Sequence, residues 1–444
     1  MPVFSRGYRQ SLSALYRLQV LGTKLGLSNT RALFRLLGKP QEGMDFFHIA
    51  GTNGKGSVAV FLQALLGLFE ERVGLYTSPH LEDFRERIRI GNELIAPEEV
   101  SSRFSRLEPL LGQVESRAGC THPTYFEAVT ALACDYFHDR GVKTVVWETG
   151  MGGRLDATNV VRPRLSIITN VSIEHTAYLG RDAVSIAREK AGIIKSGVPL
   201  VTAETDPSVL KTLEGVCRRR GSRLIRAGEY CQGFFRGLVP GGQKMDLQTP
   251  IRFCSGLVLP LIGPHQVTNL ETAWTAAAVA YPALEDIPVS RIRRALAKVR
   301  WPCRFEVRDD LRLILDGAHN PSGADVLART LDLFLPGEKP IMIIGVLKDK
   351  DAEGICRRLL SRADILVAVT PPGERGLPAR ALASLCRRIS PGTRVEEAGA
   401  VEKALEKLLP RTGKLPRNWI CVAGSLRLVG RARSWLNKKW PCRD

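Results

Sequence analysis

The segment 45–69 constrains the fold of this chain more than any other. An apolar run over 45–49 enters a glycine-rich turn, Gly51-Thr52-Asn53-Gly54-Lys55-Gly56-Ser57, and an apolar helical pattern follows over 58–69. A strand that turns through glycines into a helix is a phosphate-binding geometry. Glycines let backbone N–H groups close on the oxygens, the helix N-terminus adds positive potential, and a lysine adds a full charge. A hydroxyl just after the lysine can sit on Mg2+. The general phosphate-loop pattern wants a glycine five residues before the Gly-Lys pair and Ser or Thr directly after the lysine. Here the first position is Ile49, and Gly56 separates Lys55 from Ser57. The expectation is a variant nucleoside-triphosphate site; the plain alternative is a glycine turn with no ligand.

Short apolar runs alternate with helical patterns along the rest of the chain, which marks an α/β fold built on parallel sheets. Strands are predicted at 45–49, 73–76, 144–147, 165–169 and 199–202, with helices at 58–69, 125–140 and 182–194. Ligands of such sheets bind at the carboxyl ends of the strands. Three polar segments fall there: the glycine turn, Glu148-Thr149-Gly150, and 170–175. A second α/β unit follows, with strands at 311–315, 340–346, 364–369 and 419–422 and helices at 323–334 and 379–388. The predicted architecture is therefore a first domain, 1–299, with a phosphate-loop-type, mostly parallel sheet, and a smaller Rossmann-like second domain, 300–444. The segment 228–260, rich in glycine and short alternating runs, reads as antiparallel strands at the edge of the first domain.

A chain of 444 residues is long enough for two or three cores. Its ten cysteines contain no Cys-x-x-Cys pair, which argues against a zinc site and a disulfide framework. The first ten residues lack the apolar core of a secretory signal, and no apolar stretch is long enough to cross a bilayer, so a cytoplasmic protein without a membrane partner is expected. The net charge of +19 is spread over clusters such as Arg218–Arg220 and Arg291–Arg294 without interleaved aromatics. No nucleic-acid module is visible; a basic surface also suits small polyanions, or simply solubility.

Several residues carry chemistry on their own terms. Glu148 ends a predicted strand, where a carboxylate can meet a Mg2+ held by Ser57 and phosphate oxygens; its alternative is a solvated strand end. His175 follows the turn after 165–169, yet neutral imidazole is an unusual partner for Mg2+, so it would need a second metal site. Asp316-Gly317-Ala318-His319-Asn320-Pro321 has the form of a strand-to-helix turn with polar groups at the strand end, although these residues also favour turns without function. Arg304 could reach a phosphate, or be an ordinary surface arginine.

Taken together, the motifs resemble the folylpolyglutamate synthase/dihydrofolate synthase family of the Mur ligase superfamily. The resemblance rests on the glycine turn, Tyr76-Thr77-Ser78-Pro79-His80-Leu81, Glu86-Arg87-Ile88, Thr124-Tyr125-Phe126-Glu127 and the segment 148–159 (Glu-Thr-Gly-Met-Gly-Gly-Arg-Leu-Asp-Ala-Thr-Asn). It continues through Arg188-Glu189-Lys190-Ala191-Gly192-Ile193, 316–321, 345–351 (Gly-Val-Leu-Lys-Asp-Lys-Asp) and Gly424-Ser425-Leu426. It runs from about residue 22 to 430 in the family's order.

The resemblance implies an ATP-dependent ligase that joins L-glutamate to dihydropteroate or to folates through an acyl phosphate. It implies that Asn53, Gly54, Lys55, Gly56 and Ser57 hold the phosphates, with Lys55 on the terminal oxygens. Ser57 and Glu148 would bind a first Mg2+, and His175 would help hold a second. Lys190 matches a lysine often carbamylated in the family, a change that turns a cation into an anion able to sit beside a metal; the alternative is a free lysine paired with an acid on its own helix. Asn269, Arg304 and Asp316 match nucleotide contacts, with His319 close by, so ATP would lie between domains that close over it. The pteroate would lie along Leu25-Gly26-Leu27, Thr124-Tyr125-Phe126-Glu127 and Leu155-Asp156-Ala157. Lys55, Lys190 and His175 would form the catalytic set, potassium stands as a further candidate ion, and a monomer is expected.

This chain departs from the family pattern at three places. Lys24 stands where many bifunctional members carry an acid that could accept hydrogen bonds from a pterin. Cys303 replaces the glycine of a Pro-Gly-Arg linker, and Glu174-His175 replaces an Asp-His pair. The nearest rival reading is a ligase with only the polyglutamylating activity. A basic phosphate-loop ATPase driven by nucleic acid is the rival of a different class, and it predicts ATPase stimulation by DNA or RNA rather than by folate and glutamate.

Overall fold

Eight short strands, apolar where they cross the middle of the protein, form the first sheet of the computed structural model, which describes residues 5–409 and 415–441. The ends of both expected domains, 1–4 and 442–444, lie outside the described residues. The strands are β1 (Asp45–Ala50), β2 (Val73–Tyr76), β3 (Ile88–Ile90), β4 (Glu93–Leu94), β5 (Thr144–Glu148), β6 (Leu165–Ile168), β7 (Leu200–Thr202) and β8 (Leu224–Arg226), in the order β4-β3-β2-β5-β1-β6-β7-β8. All neighbours from β2 to β8 are parallel, while β3 and β4 add an antiparallel edge. Register sets the site. Ile49 stands opposite Glu148 on one side and Ile167 on the other, and Tyr76 opposite Trp147, so β2, β5, β1 and β6 end side by side.

The helices flanking the sheet follow from burial. Helix Lys55–Leu66 is buried on nearly every side, which explains its continuous rather than one-faced apolar pattern. Helix Tyr125–Asp139 opens on a capping box in which Thr124 and Glu127 satisfy each other's backbone N–H groups. The helix predicted over 182–194 ends earlier, at Lys190, and continues as a 3-10 turn, Ala191–Ile193. There the Glu189 carbonyl, which a continuing helix would offer to Ile193 N, accepts from Arg154 N at 2.8 Å, and Gly192 packs so close that a Cβ would stand 2.3 Å from the Cα of Arg154.

A separate three-stranded sheet contains β9 (Gln232–Val239), β10 (Gly242–Gln248) and β11 (Phe253–Leu259), in the order β11-β10-β9. The two-residue link between β9 and β10 makes that pair a hairpin. The third sheet holds β12 (Glu306–Arg308), β13 (Leu313–Leu315), β14 (Ile341–Ile344), β15 (Ile365–Ala368), β16 (Arg394–Glu397) and β17 (Ile420–Ala423), in the order β12-β13-β17-β14-β15-β16. All its pairs are parallel except β12 with β13. The strand predicted from 311 starts at Leu313, because Asp309–Leu311 forms a 3-10 turn and Arg312 takes a left-handed φ of 45°.

The chain divides into two compact units. One holds the residues up to Phe234, Asp246–Leu257 and Thr268–Val299; the other holds Phe235–Met245, Val258–Val267 and the chain from Arg300. The segment 228–260 is therefore split, and only part of it belongs to the first unit. Among the described residues no helix is long and apolar enough to cross a membrane.

Candidate active site

The glycine turn leaves β1 under tight constraint. Gly51 has φ 151° and its missing Cβ would lie 1.8 Å from Thr169 Oγ1; Gly54 has φ 84° and its Cβ would lie 2.5 Å from Asn269 Oδ1. Gly54 also caps helix Lys55–Leu66 in the left-handed conformation, which a side chain resists. The next strand holds the turn in place. Thr169 Oγ1 donates to Asn53 O at 2.7 Å, and the Asn170 side chain accepts from Asn53 N at 3.0 Å and donates to Asn53 O at 3.1 Å. Thr52 N donates to Asn170 O at 2.8 Å, and the Ser172 N–H donates to Thr52 Oγ1 at 2.9 Å.

Two lysines meet at this turn. Lys55 Nζ donates to Gly51 O at 2.9 Å and Thr52 O at 3.1 Å, and Lys190 Nζ donates to the same Gly51 O at 2.8 Å. Lys190 is 1% exposed and pairs with Glu174 Oε1 at 3.1 Å. The acid therefore comes from the loop after β6, not from the helix of Lys190. Burial pushes the Lys190 ammonium down to about 8 against the pull of Glu174. Burial pushes the Glu174 carboxyl up, but Lys190, Lys55 and His175 outweigh it and hold it below its ordinary value. His175 sits next to it with a left-handed φ of 48° at the start of the short helix Thr176–Leu179. The buried Glu148 carboxylate ends β5 and accepts from the Ser78 N–H at 3.0 Å.

These donors fit one Mg2+. The buried Ser57 hydroxyl and the Glu148 carboxylate are oxygens, and Mg2+ takes one or two protein oxygens and completes its shell with phosphate and water. Among the described residues no three His, Cys, Asp or Glu side chains gather to hold a metal, so such an ion would depend on the nucleotide. A second ion is a different matter. Lys190 as an ammonium cannot ligate a cation, and only conversion to a carbamate gives it oxygens.

The residues expected to line a pteroate fall into two groups. Leu25 is 42% exposed and Phe126 packs on Gly150, where an added Cβ would lie 2.5 Å from the ring. Tyr125 is buried, stacks on Tyr16 at 5.8 Å, lies under the Arg87 guanidinium at 5.5 Å, and its hydroxyl has no hydrogen-bond partner. The two acids of the set are turned inward. Glu127 Oε2 accepts from Thr124 N, Thr124 Oγ1 and Asn29 Nδ2 at 2.8, 2.9 and 3.2 Å. The Asp156 oxygens accept from Thr158 N at 3.0 Å, Thr158 Oγ1 at 2.5 Å and Met151 N at 2.8 Å. Burial pushes the Asp156 carboxyl up despite those donors. Both acids shape the backbone around Thr124, Leu155 and Ala157. Lys24 Nζ donates to Thr121 Oγ1 at 3.3 Å.

In the second unit, Asp316 follows β13. Its two oxygens accept from the Phe305 and Ala318 N–H groups, each at 2.8 Å, and burial pushes its carboxyl up against the influence of Arg304. Arg304 lies between two non-glycine residues in left-handed conformations, Cys303 (φ 58°) and Phe305 (φ 49°). Such strain persists only where the surroundings over-determine it; here Gly317 N donates to Cys303 O at 2.8 Å and the Cys303 N–H to Glu306 Oε2 at 2.9 Å. His319 Nδ1 stands 2.8 Å from Gly317 O. His265, partly buried, is pushed down to about 4 by burial of its ring and by Arg304.

Sequence reasoning placed the glycine turn, 148–150 and 170–175 at one sheet edge, and the register ends their strands side by side; Lys190, given a role only by the resemblance, reaches the turn from its helix through Gly51 O. It missed Thr169 and Asn170 as the clamp on the turn, and Glu174 as the partner of Lys190. The position of 169–170 directly after a core strand was the available signal.

The chain matches the Mur ligase middle domain over residues 49–278 and the Mur ligase glutamate ligase domain over 303–426. It is 34% identical over 355 residues to a dihydrofolate synthase/folylpolyglutamate synthase of Bacillus subtilis, covering 79% of this chain and 82% of that protein. It is 35% identical over 430 residues to a probable bifunctional folylpolyglutamate synthase/dihydropteroate synthase of Haloferax volcanii; the match covers 96% of this chain but only 50% of that protein, so the chain spans half the relative's length. Its fold matches that of Mycobacterium tuberculosis folylpolyglutamate synthase solved with ADP, with a TM-score of 0.89 and 33% identity over 98% of this chain and 99% of that one.

Proposed function

Because the chain belongs to the folylpolyglutamate synthase/dihydrofolate synthase family of Mur-type ligases, we propose that it joins L-glutamate by an amide bond to dihydropteroate and to folates, with ATP as co-substrate. A carboxylate is a poor acyl donor because oxide is a poor leaving group. Transfer of the terminal phosphoryl group onto the substrate carboxylate gives an acyl phosphate and ADP. The glutamate amine then attacks the carbonyl, and the tetrahedral adduct expels phosphate and loses a proton. The work of the protein is alignment and charge neutralisation.

The observation that carries this reading is the meeting of Lys55, Lys190 and the glycine turn on Gly51 O, next to Glu174. Asn53, Gly54, Lys55, Gly56 and Ser57 hold the triphosphate in this reading, and Lys55 leaves the Gly51 carbonyl for the phosphate oxygens. Ser57 and Glu148 would hold a Mg2+, which would supply positive charge against the phosphates. Carbamylation of Lys190 needs its neutral amine, and an ammonium lowered to about 8 supplies an appreciable neutral fraction near neutral pH. A carbamate at Lys190, with His175, would hold a second Mg2+, and Glu174 would lose its ion-pair partner. In this reading Asn269, Arg304, Asp316 and His319 are nucleotide contacts, and domain 300–444 binds glutamate. Leu25-Gly26-Leu27, 124–127 and 155–157 hold the pteroate. A cytoplasmic monomer fits substrates that are all small molecules.

One observation favours the narrower reading, polyglutamylation alone: Lys24 bonds Thr121 where an acid would accept from a pterin. Purified protein assayed with glutamate, ATP and either dihydropteroate or tetrahydrofolate separates the two, and no turnover of dihydropteroate leaves only the narrower one. Substrate labelled with 18O in its carboxylate tests the intermediate. One labelled oxygen must appear in the released phosphate, and unlabelled phosphate rules out the acyl phosphate.

A further inference from the structure

The amino-terminal edge of the first sheet carries a group of cations that the ligase reading does not use. Lys195, partly buried, follows the turn Ala191–Ile193 and donates to Asn159 Oδ1 at 2.6 Å and Asn159 O at 3.2 Å. The Asn159 amide is fixed in turn: its Nδ2 donates to Arg154 O at 2.9 Å and Gly192 O at 3.1 Å, so only its oxygen faces the lysine. Arg162 lies against the same segment, with Nη2 donating to Ser196 O at 2.9 Å. Gly197 N donates to Arg220 O at 2.9 Å, which brings the end of helix Pro207–Arg220 to the same place. Arg31 comes from helix Ser28–Leu36, which packs on the turn Ala157–Val160.

Lys195 feels Arg31, Arg220 and Arg162, and no acid offsets them; burial and these arginines push it down to about 8. None of the four cations has a carboxylate partner among the described residues. The dipole at the end of helix Pro207–Arg220 accounts for arginines on its own last turn. It does not account for a lysine held by an oriented amide, with Arg162 pinned beside it. A lysine held by an oriented amide, with Arg162 pinned on the next residue's carbonyl and the segments of Arg220 and Arg31 packed nearby, is a complement to a tetrahedral dianion: lysine offers a compact charge and arginine a planar fork of donors.

We propose that Lys195, Arg162, Arg220 and Arg31 form a binding site for a phosphate-class oxyanion at the sheet edge opposite the glycine turn. The anion is either free orthophosphate or the phosphoryl group of an ester. The site stands independently of the ligase reading.

Calorimetric titration of the full chain at fixed ionic strength in chloride tests it, since salt screens such contacts. Inorganic phosphate is one titrant and glycerol phosphate the other. The Lys55→Ala background removes the lysine of the glycine turn. Saturable phosphate binding is expected to persist in Lys55→Ala, and to weaken about tenfold or more when Lys195→Met or the exposed Arg162→Ser is added. Binding of orthophosphate alone assigns the free ion, and binding of both titrants assigns a phosphoryl group. No saturable binding in Lys55→Ala overturns the proposal, as does unchanged affinity with both Lys195 and Arg162 replaced in a chain of unaltered melting temperature. Binding lost through Lys55→Ala alone points to the glycine turn, which overturns this site and leaves the ligase reading intact.

Discussion

Asn170 is the residue whose replacement most directly tests how the glycine turn is held. Its side chain makes two hydrogen bonds to the Asn53 backbone, at 3.0 and 3.1 Å, while its own carbonyl accepts from Thr52 N at 2.8 Å. Asn170→Ala removes the first two and keeps the third. Each such bond contributes about 1 kcal/mol net, and because Asn170 is partly exposed, water replaces some of that, leaving a cost of about 1–2 kcal/mol. The cost falls on the shape of the turn, not on the charge of Lys55. It should therefore appear as nucleotide affinity, about 5- to 30-fold weaker at roughly 1.4 kcal/mol per factor of ten. Asn170→Asp keeps the acceptor for Asn53 N, loses the donor, and sets a negative charge beside the phosphates. It should bind more weakly than Asn170→Ala, with a deficit that shrinks as salt rises. Calorimetric titration with a non-hydrolysable ATP analogue, alongside circular dichroism for fold, reads both. Affinity within twofold of the parent for a folded Asn170→Ala protein would refute the clamp.

Arg103 is 7% exposed and pairs with Glu99, Asp135 and Asp139 at 3.0, 2.8 and 2.6 Å; Arg103→Met should cost about 3–5 kcal/mol in urea unfolding, and a cost below about 1 would show the network to be dispensable. His48 is fully buried on β1, its Nε2 2.9 Å from Thr158 Oγ1, and burial pushes it down to about 3. Its folded value lies below the unfolded one, so the unfolded chain takes the proton first as pH falls from about 6.5. Its share of stability lost between pH 7 and 5 is then about 2 kcal/mol, and His48→Gln should flatten the acid limb by that amount. Equal acid sensitivity of the two proteins would place the titrating group elsewhere. Gly54→Ala puts a Cβ 2.5 Å from Asn269 Oδ1 at φ 84°. A strain of about 1–3 kcal/mol should weaken nucleotide binding about 5- to 150-fold, and parent-like binding would mean that the turn relaxes freely.

The long, strongly patterned elements were legible because their signal is local. β1, the helix after it, β5, β6 and the strands that became β13, β14, β15 and β17 each carry a run of apolar residues that only burial explains. The short edges were not. β4 (Glu93–Leu94) is two residues long, and β16 (Arg394–Glu397) is three-quarters charged, so neither has an apolar run to read. Helix ends failed for a similar reason: at Lys190 the Glu189 carbonyl is taken by Arg154 N, a contact between segments far apart in the chain. Glu127 and Asp156 show the same limit at the site. The resemblance implied substrate contact for their segments, and only the folded chain shows their oxygens engaged by backbone N–H groups and hydroxyls.

The order of residues alone pointed to a strand that turns through glycines into a helix, because glycines break the apolar run before them and free the backbone to turn; the structure starts that helix at Lys55. It also determined which loops end at the same side of a parallel sheet. Only the tertiary structure decided which of those loops touch. Gly51 O takes both lysines, Glu174 reaches Lys190 from another loop, and Asn170 grips Asn53, because strand order sets β6 beside β1. Pairing between distant strands is a property of the whole packed chain, and no local pattern encodes it.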